Sequence, residues 1–130
     1  MEGRLDQELA LLRQRFPEAE YNAEGRWVRI PAYSLPAGWN RTSTEVAFQI
    51  PVGYPGTPPY GIYAPAGLTF QEAQPDNYVV AGNTPPFPGT WWVFSWATED
   101  GTWHAGVEPL KGSNLLNWVL GFGQRFREGK

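Results

Sequence analysis

Thr44-Glu45-Val46-Ala47-Phe48-Gln49-Ile50 runs directly into Pro51-Val52-Gly53-Tyr54-Pro55-Gly56-Thr57-Pro58-Pro59, and the reading of this junction decides the fold. The first half alternates with period two, which places Val46, Phe48 and Ile50 on one face of a half-buried strand. In the second half Pro55, Pro58 and Pro59 fix φ and remove backbone donors, so Tyr54–Pro59 is a stiff turn that cannot join a sheet ladder. Such turns occur in many β proteins. The order of the elements around this one therefore has to carry the rest of the reading.

Upstream, Arg26-Trp27-Val28-Arg29-Ile30-Pro31-Ala32-Tyr33 alternates in the same way, and the stretch from Ser34 to Arg41 has turn chemistry of hairpin-loop length. An antiparallel pair is predicted. Further back, Leu5, Leu9, Leu12 and Phe16 recur at helical spacing with Arg13, Gln14 and Arg15 on the wetter side, until Pro17 stops the pattern. Downstream of the turn, Tyr60–Ala64 is another strand. Residues 65–89 form an irregular loop rich in Pro, Gly, Asn and Asp, in which Asn77-Tyr78-Val79-Val80 is a candidate for brief pairing. Thr90–Trp96 is a dense apolar run ending at a turn through Glu99-Asp100-Gly101. Finally, Ser113 is a candidate cap for a helix with Leu115, Leu116, Val119, Leu120 and Phe126 as its apolar stripe. The expected fold class is α+β: an N-terminal helix, an antiparallel β-meander, the proline turn, an irregular loop and a C-terminal helix, in a single domain over 1–130.

Composition agrees with one domain. The 130 residues include seven Trp, six Tyr and seven Phe, so bulky rings supply the core, and 13 Pro and 15 Gly divide it into short elements. A net charge of −3 without any basic stripe argues against nucleic acid as a partner. No Cys is present, which excludes disulfides, thiolate metal sites and a cysteine nucleophile. The acidic start Met1-Glu2-Gly3-Arg4-Leu5-Asp6 does not resemble a signal peptide, and no stretch is long enough to span a bilayer. A soluble, cytoplasmic protein with no membrane partner is expected.

The succession of elements, with Ile50-Pro51-Val52-Gly53-Tyr54-Pro55-Gly56-Thr57-Pro58-Pro59 at its centre, resembles the ubiquitin-conjugating (UBC) fold and its apolar-Pro-x-x-Tyr-Pro-x-x-Pro-Pro stretch. Trp103 resembles the Trp that follows the active-site segment in that family. Members carry a Cys that takes ubiquitin or a relative as a thioester and delivers it to an amine. Counting back eight positions from Trp103 puts Ser95 where that Cys would stand. A serine hydroxyl without assistance is a poor nucleophile beside a thiol, so the resemblance implies loss of transthiolation here. The family's His-Pro-Asn tripeptide is also missing. Asn77 and Asn83 are the asparagines in the right region for oxyanion support, but loop Asn residues more often serve turns.

His104, the single histidine, follows Trp103 and is the candidate base for Ser95, with Glu99, Asp100 and Glu108 near it in sequence. One histidine and no cysteine do not make a metal site, and neither metal nor cofactor is expected. Trp91, Trp92 and Trp96 suit either the core or a partner-facing surface. The resemblance implies a cysteine-less, non-catalytic member of the divergent prokaryotic branch, a pseudoenzyme that binds a ubiquitin-like protein. An activating enzyme or metalloprotease of the same bacterial pathway is a further candidate partner. Tyr54, Pro55, Pro58 and Pro59 would form the structural motif. Phe87, Trp103 and His104 would form an adaptor face, and Arg4, Arg13 and Arg15 on the N-terminal helix a second contact. Two other readings stand beside it: a conjugating enzyme whose Cys is replaced at Ser95, and a ligand-binding β module that uses exposed Trp rings.

Overall fold

Period-two alternation becomes a sheet, and the two helical stripes close one of its faces. The computed structural model describes residues 2–54, 56–82, 85–95 and 114–128. Its elements are α1 (Glu2–Arg15), β1 (Glu20–Asn22), β2 (Trp27–Ser34), β3 (Ser43–Gln49), β4 (Ile62–Pro65), β5 (Tyr78–Val80), β6 (Trp91–Phe94) and α2 (Leu115–Glu128). The fold is α+β, with a six-stranded antiparallel sheet between the two helices in sequence. No helix among the described residues is long and apolar enough to cross a membrane.

The sheet is a meander only as far as β4. Its order is β1-β2-β3-β4-β6-β5, so β6 lies between β4 and β5. Burial explains the departure from the expected meander. Trp91 and Phe94 of β6 are both buried and need neighbours, whereas Val79 and Val80 of β5 are exposed and suit an edge. A bulge in β2 sets a second feature: Ile30 pairs with Val46 and Tyr33 with Thr44, so two residues, Pro31 and Ala32, stand opposite one, Glu45. The extra residue falls at Pro31-Ala32, where proline has no donor to lose, and it returns Tyr33 to the core face beside Val28 and Ile30.

On that face α2 presents Leu115, Trp118, Val119, Phe122 and Phe126, all fully buried. The expected stripe included Leu120 and omitted Trp118 and Phe122. At 100° per residue the structure's set is the tighter one, and Leu120 points outward, 45% exposed. Rings of α2 and the sheet meet edge to face at three contacts: Phe48 with Trp118 and Phe122, and Phe94 with Phe126. The loop after β2, expected to be simple turn chemistry, adds Trp39 to this core. Its indole N–H donates to the Phe126 carbonyl at 2.9 Å. Gly38 allows the approach, since its φ is +105° and a Cβ there would lie 2.5 Å from the Phe70 ring. The opposite face of the sheet is more polar: Arg29 bridges Glu45 and Glu20, while Trp27 packs its ring against Tyr63.

Removing the largest α2 ring should be costly, because the neighbouring rings cannot collapse onto the space. Trp118→Ala is expected to lose about 3–5 kcal/mol of unfolding free energy in a urea titration. A loss below about 1 kcal/mol would mean that Trp118 is not packed as described.

Alkaline pH offers a second test. Burial pushes the phenols of Tyr33, Tyr54 and Tyr78 above the ordinary value of 10.0. A group whose folded pKa is raised contributes stability that is complete below the unfolded pKa and is lost as pH rises through the folded one. The melting temperature should therefore fall once pH passes 10, with the phenolate absorbance of these buried tyrosines appearing with the melt.

Candidate functional site

Ser95 directly follows β6, and its position is fixed from below. Its backbone N–H donates to the Asn77 carbonyl at 2.9 Å, continuing the β5–β6 ladder by one residue. Phe94, just before it, is buried and stacks on Tyr78 with ring centroids 4.4 Å apart. Arg125 of α2 lies over the same ring at 4.8 Å and donates to the Asp76 carbonyl at 2.8 Å. The platform under Ser95 is thus an aromatic pair and a buried guanidinium that also holds the Asp76-Asn77 turn. Ser95 itself is exposed.

Asn77 occupies the left-handed region at φ 57°, a conformation in which Asn is favoured over most residues. The structure thus gives it the turn role, and its carbonyl is committed to Ser95. Asn83, Trp96, Glu99, Asp100, Trp103, His104, Glu108 and Ser113 lie outside the described residues, as does Pro55. Among the described residues the Ser95 hydroxyl has no basic side chain as a hydrogen-bond partner, and no cluster of His, Asp or Glu could hold a metal ion.

Other expected site residues are redistributed. Phe87 is half-buried; its carbonyl accepts the Trp91 indole N–H at 3.1 Å and its ring packs on Trp91. Trp91 is buried and Trp92 half-buried against Tyr78, while Trp27, Trp39 and Trp118 are core. No described tryptophan is left as an exposed stacking platform; Trp96 and Trp103 lie outside the described residues. On α1, Arg13 and Arg15 are exposed as expected, with Arg13 donating to the Ala19 carbonyl where the chain leaves the helix.

Arg4 differs. It was expected on the outer surface, but its side chain is only 13% exposed and its Nε donates to Glu8 at 2.6 Å. Glu8 is fully buried, and its Oε1 also accepts the Tyr54 hydroxyl and the Leu115 backbone N–H, the latter at 2.7 Å. Arg4 and Tyr54, assigned to different tasks from sequence, therefore meet on one carboxylate. The turn after β3 is shaped to deliver Tyr54, through Tyr54 N–H to the Pro51 carbonyl and Thr57 N–H to the Gly53 carbonyl. Pro59 is buried and Pro58 half-buried beside it.

The α2 start has its own closure. Asn114 and Asn117 exchange hydrogen bonds, backbone N–H to side-chain Oδ1 in both directions, which makes Asn114 the cap in place of the expected Ser113. Glu8, Arg125 and Asn114 were not singled out from the sequence. For Glu8 the signal was there, as a lone acid on the Leu5/Leu9/Leu12 face with Arg4 at i−4. Comparison with protein-family models, curated proteins and solved structures returns no significant match to this chain.

Burial makes the Glu8 contacts expensive to lose. Tyr54→Phe should cost about 1.5–3 kcal/mol as one hydrogen bond to a charged group disappears. Arg4→Ala, which strips the buried carboxylate of its cation, should cost about 3–5 kcal/mol. Equal chemical denaturation midpoints for wild type and both variants would sink this account of the node.

Proposed function

We propose that the chain is a UBC-like, non-catalytic binding protein whose partner is a ubiquitin-like protein or the conjugation machinery of a bacterial ubiquitin-like pathway. The observation that carries this reading is the exposed Ser95 at the end of β6, the residue that the resemblance equates with the family's thiol. Among the described residues no basic side chain hydrogen-bonds its hydroxyl, and the candidate base His104 lies outside them. An unactivated serine does not accept an acyl group from a thioester at a useful rate. What is left of such a site is a rigid, accessible surface, and the aromatic pair and Arg125 beneath Ser95 supply that rigidity.

The order of elements supports the same reading. A helix precedes an antiparallel sheet, the Tyr54 turn follows β3 and is tied to the N-terminal helix, and a helix closes the chain. Exposed Arg13 and Arg15 on α1 offer a second, cationic contact to the proposed machinery.

Intact mass spectrometry after incubation with ATP, the ubiquitin-like protein and the activating enzyme of the same genome tests the proposal on wild type, Ser95→Cys and Ser95→Ala. No adduct is expected on wild type or Ser95→Ala. Affinity for the ubiquitin-like protein should agree within about twofold between these two, since a surface hydroxyl contributes little to binding. An adduct on wild-type Ser95, together with a thiol-labile one on Ser95→Cys, would instead make the chain a conjugating enzyme. Absence of binding to the ubiquitin-like protein and to its activating enzyme would overturn the adaptor reading.

A further inference from the structure

A groove of about 720 Å³ lies between the end of α1, the bulged half of β2 and the outer side of α2. It shares no residue with the Ser95 platform. Small-ligand pockets occupy roughly 300–1,000 Å³, so its size suits one molecule rather than a water or an ion. Its floor is fixed. Phe16 and Tyr33 stack with centroids 5.8 Å apart, and the Tyr33 hydroxyl donates to the Val119 carbonyl at 2.8 Å. Leu35 and the outward Leu120 extend this apolar surface, which accounts for Leu120 as a large exposed side chain outside the α2 core stripe.

Two cations border the apolar floor. The Arg15 guanidinium lies over the Phe16 ring at 5.0 Å, and Arg127 reaches past Gly123, where an added Cβ would stand 3.1 Å from its Nη1. Both arginines line the same groove, and both charges are near enough to the Tyr33 hydroxyl to favour its anion against the larger opposing effect of burial. Neither arginine forms an ion pair with a residue whose side chain is described. Glu18 also lines the groove, so the described lining carries two guanidiniums and one carboxylate, a net single positive charge. That balance suits a monoanion.

We infer that this groove binds a small amphiphilic monoanion, a molecule with an aromatic or aliphatic body and one carboxylate or sulfonate head. The body rests on Phe16, Tyr33, Leu35 and Leu120, and the head is met by Arg15 and Arg127. The inference is independent of the reading of Ser95, so either can fail alone.

Anilinonaphthalene sulfonate combines an aromatic body with one anionic head and becomes fluorescent when it leaves water, which makes it the first probe. Titration of the full chain should give saturable binding of one dye per chain, weakened by added salt. Arg15→Gln and Arg127→Gln should each raise the dissociation constant about tenfold, as loss of a charged hydrogen-bond donor does. Arg41→Gln, an exposed arginine outside the groove, should leave it unchanged. Dodecanoate should displace the dye and dodecyltrimethylammonium should not. The inference is overturned by non-saturable dye binding, or by wild-type affinity in both glutamine variants at unchanged melting temperature. It is equally overturned by equal displacement with the cationic amphiphile, or by displacement with an acidic apolar peptide where dodecanoate fails.

Discussion

Glu8 is a carboxylate with no exposed surface, and three stretches of chain depend on it: the first turns of α1 through Arg4, the turn after β3 through Tyr54, and the start of α2 through the Leu115 amide. Taking a carboxylate out of water is tolerable only when its lone pairs are met by donors of good geometry. Here each donor comes from a different part of the sequence, so the carboxylate is satisfied only when all three have arrived. The negative charge also sits at the positive end of the α2 dipole, where it is favourable. The node therefore acts as a register mark. It sets how far α2 slides along the sheet, which in turn sets which of its rings meet Phe48 and Phe94.

Above that mark, packing is done by rings rather than by branched aliphatics. Trp118, Phe122 and Phe126 of α2 interlock with Phe48 and Phe94 of the sheet, and Trp39 enters from a loop to bond the last turn of the helix. Edge-to-face contacts of this kind have preferred geometry as well as large area, so they favour one arrangement over sliding alternatives. The bulge at Pro31-Ala32 belongs to the same scheme. Without it, Tyr33 would fall on the far face and lose its bond to the Val119 carbonyl.

Elements with a strong period were legible in the sequence: α1 from Leu5, Leu9 and Leu12, the β2–β3 pair from its alternation, and β6 from its apolar run. Even the brief pairing at Asn77–Val80 could be anticipated, because a turn-favouring Asn precedes a short β-branched run. The position of β6 between β4 and β5 was not legible, since periodicity says which face a residue takes and nothing about which strand is its neighbour. Trp39 was hidden by its Pro, Gly and Asn surroundings, which speak for a turn and are silent about a ring reaching back into the core. On α2, counting apolar residues spread the stripe too wide; Leu120 is apolar but faces the groove. At the site, residue types pointed to Ser95 and Asn77, which the structure joins by a backbone bond. Arg4 shows the opposite failure. An arginine in a first helical turn is normally a surface group, and only the buried partner four residues on turns it inward.

Both margins of the sheet are three-residue strands. Glu20–Asn22 ends one side with polar side chains, and Tyr78–Val80 ends the other directly after a left-handed Asn77. A chain this rich in rings and β-branched runs carries a standing hazard: an open ladder edge invites a second sheet to add to it. Strands this short offer an incoming strand few free donors and acceptors, and the backward bend at Asn77 breaks the straight edge that addition needs. Among the described residues, the brevity of β1 and β5, which looks like weak structure when strands are judged by length, thus leaves little ladder for another strand to extend.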